Sequence, residues 1–292
     1  VAQRRGGTKY AIDQMINPGT VVFRPGGAYR DSAVIAGMVI SSRITSKPMG
    51  FSTPSRICCM MALTSFSEMG VGRIAEPLDG PSITAVQQAA QAQNVAVVVG
   101  MAEAANDGRF YNTTVLVTPE GVALTYRKTH LWASDCGVFT PGDRFATALF
   151  KGIRVGLLIC FDIEFPETAR ALGQLGAELI IVTNGNMDPY GPTHRTAITA
   201  RAMENQAFAV MVNRVGDGDG GLVFAGGSAV VDPYGQLLCE AGRGECRMTV
   251  ELAMEQLQRS RRDYSYIAQR RIHLPGEQVE HANGLRELII AS

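Results

Sequence analysis

The run Arg154-Val155-Gly156-Leu157-Leu158-Ile159-Cys160 ends an apolar stretch on a thiol, and Phe161-Asp162-Ile163-Glu164-Phe165-Pro166-Glu167 follows at once. A buried strand that stops at a cysteine and gives way to a proline-started helix presents that thiol at the carboxyl edge of a sheet. Amides at the start of a helix can hold negative charge there. The place suits a nucleophile, because the strand fixes it; the plainer role for a single such cysteine is core packing. A free thiol with a pKa of about 8.5 needs a neighbouring base or cation to ionise at neutral pH. A neighbouring base must take the thiol proton. Asn184, Asn186 and Met187 stand at the end of the next strand, where an α/β pocket forms and where they can line a substrate site.

The elements that carry these residues are legible from residue 82 onward. Pro81 to Gln93 reads as a helix and Asn94 to Gly100 as a buried strand. Asn112 to Val117 and Val122 to Arg127 flank Thr118-Pro119-Glu120-Gly121, a hairpin signal that leaves Lys128 where the second strand ends. Strand 153–160, helix 166–176, strand 178–183, helix 192–207 and strand 208–213 alternate as βα units buried on both faces. Ser228 to Val231 and Gln236 to Leu238 flank a second turn, Asp232-Pro233-Tyr234-Gly235, and this mixture of hairpins and crossovers excludes a purely parallel barrel. The first 70 residues are rough in composition for a core-forming segment, with Pro48, Pro54 and many serines reading as loop. A frame-altered stretch is one reading of that composition.

The chain has 292 residues, 46% apolar and 18% charged, which fits one large α/β domain over residues 1–292. No apolar run reaches the roughly 20 residues of a membrane span, and no signal-peptide order is present, so the expectation is a soluble cytoplasmic protein that does not use a membrane. Cysteines 58, 59, 136, 160, 239 and 246 show no metal-ligand grouping and no disulfide framework. The zero net charge divides into +6 over residues 1–67 and −6 over the rest, but the basic residues are scattered and not interleaved with stacking aromatics, so no nucleic-acid partner is expected.

Four segments in order carry a resemblance: Tyr126-Arg127-Lys128-Thr129-His130-Leu131; Phe139-Thr140-Pro141-Gly142-Asp143; the Cys160 to Glu167 segment; and Arg201-Ala202-Met203-Glu204-Asn205 with Asn213-Arg214-Val215-Gly216. Over about residues 74 to 275 the chain resembles the nitrilase superfamily of carbon–nitrogen hydrolases. The resemblance implies a four-layer αββα sandwich of the α/β (α+β) class, a Glu/Lys/Cys triad, no metal or cofactor, and self-association as a homo-oligomer. It also implies a strand, a helix and a second strand at the start, for which Thr20 to Phe23, Tyr29 to Ser42 and Ile57 to Phe66 could stand, although residues 1–70 are atypical for the family. Two triad members transfer directly: Lys128 and Cys160. Lys128 would supply positive charge to the thiolate and then to the tetrahedral oxyanion, with the Phe161 amide as second donor.

Two registers compete for the glutamate. In one, Phe66-Ser67-Glu68-Met69 replaces Phe-Pro-Glu-Met and Glu68 is the base; in the other, Met60-Met61-Ala62-Leu63-Thr64 takes that place and the base position holds Met60. The chemistry favours Glu68. Many relatives also carry a second Glu six residues before the PG proline, and that count leads to Asp135, which would orient the substrate beside the lysine. Asp162 reads as a holder of the elbow, His130 as support and Arg201–Glu204 as a structural ion pair. The Cys160-Phe161-Asp162 order looks like the amidase branch, so hydrolysis of a small-molecule carboxamide leads. N-carbamoyl or ureido hydrolysis, nitrile hydrolysis and a catalytically silent binding protein stand as alternatives.

Overall fold

The computed structural model describes residues 37–43, 55–60, 68–218 and 221–290, with side chains from residue 70 onward. The first half of the chain forms β1 (Gly37–Arg43), β2 (Ser55–Met60), α1 (Glu68–Ile74), α2 (Pro81–Gln93), β3 (Ala96–Ala104), β4 (Phe110–Thr118), β5 (Gly121–Arg127) and β6 (Arg144–Phe150). The second half begins with β7 (Ile153–Ile159), α3 (Pro166–Gln174), β8 (Leu179–Asn184), α4 (Gly191–Asn205) and β9 (Phe208–Asn213). After these come β10 (Val215–Asp217), β11 (Val223–Ala225), β12 (Ala229–Val231), β13 (Leu237–Glu240) and β14 (Arg247–Ala253). The chain closes with α5 (Glu255–Ser260), α6 (Tyr266–Gln269), β15 (Glu277–Glu280) and β16 (Arg286–Ile289).

Two sheets stack face to face. One is six-stranded in the order β14-β1-β2-β3-β4-β5, the other eight-stranded in the order β13-β12-β9-β8-β7-β6-β16-β15. Side chains alternate along a strand, and here both faces are covered. Val97, Val99 and Met101 of β3 lie with Val115 and Val117 against Ile83, Val86 and Ala90 of α2. The alternate residues Ala96 and Val98, with Leu116, Leu124 and Tyr126, join the core shared with Leu157, Ile181 and Val210 of the second sheet. That double burial is why the strand reads as an unbroken valine run rather than as an alternation. Leu172 of α3 and Ile198 of α4 close the outer face of the second sheet. Gly156 admits α3 closely, since a Cβ there would stand 2.8 Å from Leu172 Cδ1. The layers run helix, sheet, sheet, helix, the expected αββα sandwich.

The expected helix over Tyr29 to Ser42 is corrected: residues 37–43 are strand β1, antiparallel to β2 and parallel to β14. The element order that the resemblance implies puts a helix there, and ladder partners on both sides fix the segment as a strand instead. The expected strand Thr20 to Phe23 lies outside the described residues, as does the part of the second strand beyond Met60. The β15–β16 hairpin, which joins the second sheet along β6, carried no sequence expectation. Among the described residues no helix is long and apolar enough to cross a membrane.

One buried carboxylate fastens the two sheets at the edge where the lysine and cysteine emerge. Asp162 is fully buried. Its Oδ2 accepts from Tyr126 Oη at 2.8 Å and from the Ile159 amide at 3.1 Å. Its Oδ1 accepts from Thr129 Oγ1 at 3.0 Å and from the His130 amide at 3.0 Å, with His130 Nδ1 at 3.1 Å. Tyr126 stands near the end of β5 in the first sheet and Ile159 ends β7 in the second, so one side chain ties the two sheets together. Burial, then the neighbouring Asp162, pushes the Tyr126 hydroxyl well above the ordinary tyrosine range, which keeps it a donor. Replacing Asp162 with Ala leaves these donors buried without an acceptor, a cost of about 3 kcal/mol or more. Urea unfolding of Asp162→Ala should show that loss, and Asp162→Asn, which keeps the shape and one carbonyl oxygen, a smaller one.

Candidate active site

Cys160 begins a turn of 3-10 helix after β7, with φ at +45°, a left-handed backbone for a non-glycine residue. Such a conformation costs roughly 1–3 kcal/mol and persists where neighbours over-determine it. Those neighbours are present. Arg201 Nε donates to the Ile163 carbonyl at 2.9 Å and its Nη2 to the Glu164 carbonyl at 3.2 Å, while Nη1 reaches Glu204 at 3.1 Å. Thr168 Oγ1 donates to the Asp162 carbonyl at 2.8 Å. The Arg201–Glu204 pair expected from spacing is therefore one arm of a clamp on the elbow. The elbow turns the half-buried thiol into a cavity of about 360 Å³.

Lys128 enters the same cavity from the other sheet. Tyr126 and Lys128, two residues apart, share the inter-sheet face, whereas Arg127 between them points away and pairs with buried Glu103 at 2.6 Å. The Lys128 amide donates to the Asn112 carbonyl at 2.9 Å, and its carbonyl accepts from the Gly142 amide at 2.8 Å. Gly142 presses against the Arg127 backbone so closely that a Cβ would collide with that carbonyl oxygen, which explains the glycine of the Pro141-Gly142 pair. Lys128 is 3% exposed, and its Nζ forms an ion pair with Asp135 Oδ2. Asp135, in the one-turn segment Ala133–Asp135, also accepts from the Trp132 amide at 3.2 Å. Its shorter carboxylate reaches the lysine.

The electrostatics of the pair follow from burial. Desolvation alone would depress the Lys128 ammonium, but Cys160 and then Asp135 outweigh it and hold the pKa above the ordinary lysine value. For Cys160, burial pushes the thiol up; Lys128 and a hydrogen bond from the Gly185 amide work in the opposite direction. The lysine thus favours the thiolate in a site whose burial opposes it.

The other expected site residues divide. Phe161, Asn186 and Met187 border the cavity, whereas Asn184 is fully buried behind it, its Nδ2 donating to His194 Nδ1 at 3.0 Å. Glu68 opens α1, but its side chain lies outside the described residues, as does that of Met60, the last residue of β2. His130 stands as support, stacked on Phe165 at 4.0 Å. Gly216 lies in β10, which pairs with β11, and Phe224 of β11 reaches the cavity. Sequence reasoning missed Glu164, His194 and Arg214 as wall residues. Arg214 lay inside the quoted Asn213-Arg214-Val215-Gly216 motif and could have been found. The Glu164–His194 contact, 30 residues apart, left no local signal.

Comparison with known proteins bears on the family and the fold. The sequence model of the carbon-nitrogen hydrolase family matches residues 54–262. An (R)-stereoselective amidase of a Pseudomonas species is 64% identical over 222 residues, 76% of this chain and 81% of that one. A nitrilase of Pyrococcus abyssi is 36% identical over 168 residues, 57% of this chain and 62% of that one. The crystal structure of a carbon-nitrogen hydrolase from Helicobacter pylori G27 matches with a TM-score of 0.57 at 26% identity, covering 64% of this chain and 72% of that one. The chain therefore belongs to the carbon-nitrogen hydrolase family, and it is a hydrolase.

Proposed function

We propose that this protein hydrolyses a small carboxamide to a carboxylate and ammonia through an acyl-thioester on Cys160. The observation that supports it most is the buried Lys128 ammonium sharing one cavity with a thiol held on a left-handed elbow. The 64% identical amidase narrows the family's chemistry to amides. In this reading the Cys160 thiolate attacks the carbonyl carbon, a C–S bond forms and the carbonyl electron pair moves onto oxygen. Lys128 and the Phe161 amide face that charge, and Asp135 holds the lysine in place. Collapse of the intermediate breaks the C–N bond, and the nitrogen leaves as ammonia once it has taken a proton. Water then attacks the thioester, the C–S bond breaks and the thiolate returns. Glu68 is the carboxylate assigned to move both protons. The amide oxygens of Asn112 and Asn186 border the cavity buried and without a hydrogen-bond partner, and they offer acceptors for the N–H groups of a carboxamide.

Nitrile hydrolysis is the second reading, favoured by the Pyrococcus abyssi relative. Aliphatic nitriles run beside the matching amides distinguish the two. We also infer that the chain works in the cytoplasm as a homo-oligomer. The described cysteines are free thiols, as a reducing compartment maintains, and Met203, Tyr234, Tyr264 and Tyr266 are large apolar side chains left exposed.

Ammonia release from a panel of carboxamides should vanish in Cys160→Ala and fall by at least about a hundredfold in Glu68→Gln. Full activity in Glu68→Gln would move the base elsewhere. Lys128→Met removes the cation that lowers the Cys160 pKa, so the thiol should rise further and the pH profile of iodoacetamide alkylation should shift to higher pH. An unshifted profile would separate the lysine from the thiol. Light scattering on the eluted protein should give a mass of two or more chains; a monomer would sink the assembly reading.

A further inference from the structure

Glu164 is the acid of the pocket for which the hydrolytic steps have no use. Its side chain is 31% exposed and borders the same cavity as Cys160. Glu164 Oε1 accepts from His194 Nε2 at 2.9 Å, and the opposite ring nitrogen, Nδ1, accepts from Asn184 Nδ2 at 3.0 Å. With Nδ1 accepting, the single ring proton sits on Nε2. Burial lowers the His194 pKa against the pull of Glu164, so the imidazole is a neutral donor. The two acids of the pocket therefore differ in charge balance. Asp135 faces the Lys128 ammonium, whereas among the described residues no Lys or Arg side chain forms an ion pair with Glu164. The nearby Arg201 touches only the carbonyl of Glu164 and spends its charge on Glu204.

A carboxylate that borders a recess with only a neutral hydrogen-bond partner remains open to a cation. Trp132 and Tyr190 also border the cavity, aromatic side chains of the kind that suit an ammonium; the face of Phe224 is already covered by Arg214 at 3.9 Å. We propose that Glu164 is a specificity-determining residue that receives a protonated amine carried by the substrate, so that the pocket selects small amino-amides over neutral ones. This rests on the carboxamide reading above. It gives that reading a substrate class, and with the carbonyl at Cys160 and the amine at Glu164 two of the three points needed to select one hand are fixed.

The test compares kcat/KM for both enantiomers of alaninamide with isobutyramide, which replaces the ammonium by a methyl group, and with succinamate, which carries a carboxylate. The better alaninamide enantiomer should exceed isobutyramide by roughly tenfold or more, and that ratio should collapse in Glu164→Gln and recover in part in Glu164→Asp. A ratio unchanged by Glu164→Gln, or a preference for succinamate, overturns the proposal even if every amide is hydrolysed. If none of the amides releases ammonia, the carboxamide reading fails by itself, and calorimetry on Cys160→Ala then decides the role of Glu164. Alaninamide affinity weakened roughly tenfold by adding Glu164→Gln supports the cation site, and equal affinity overturns it.

Discussion

The site depends on a single buried carboxylate that has no step of its own in the hydrolysis. Asp162 gathers donors from the end of β5, from the Thr129-His130 segment and from the end of β7. Each donor would be expensive to bury unpaired, so the geometry that satisfies them all at once is strongly preferred over its neighbours. The lysine segment and the cysteine elbow belong to different sheets, and no direct hydrogen bond between Lys128 and Cys160 is required to set their relation. It is inherited from Asp162. The clamp of Arg201 does the same for the far side of the elbow, where two carbonyls are held against a backbone that would otherwise relax.

What could be read from the sequence follows how local each feature is. The valine run of β3, the Thr118 to Gly121 hairpin and the βα alternation after residue 153 were legible because double burial and turn chemistry leave contiguous marks. Lys128 and Asp135 were legible through the resemblance, Lys128 from its place in Tyr126 to Leu131 and Asp135 from the count back from Pro141, and the ion pair joins them. Strand β1 was not, since its identity depends on β14, more than 200 residues away in the chain, and on β2. The contact of Glu164 with His194 joins the elbow to α4 and has no spacing to betray it. Arg201 showed its partner Glu204 at helical spacing but not its grip on Ile163, which exists only once α4 lies against the elbow.

The charges of the pocket are arranged with little waste. A buried ammonium is costly unless it is paired, and Lys128 has both the Asp135 carboxylate and the Cys160 thiol beside it. The same burial that would depress the lysine raises the thiol, so the two groups answer to one environment with opposite sign. Proton and substrate chemistry at the thiol are then governed by how far water is kept from the lysine.

Because Lys128 follows β5 of one sheet and Cys160 follows β7 of the other, the ammonium and the thiol meet only when the two sheets close on each other. During synthesis the lysine strand emerges before the cysteine strand, and β14, which borders β1, emerges later than both. Until the sandwich shuts, Cys160 is an ordinary thiol with ordinary reactivity. The architecture thus makes the pair a late product: a chain that stalls half-built holds its lysine and its thiol apart, and only the closed sandwich places an ammonium beside the sulfur.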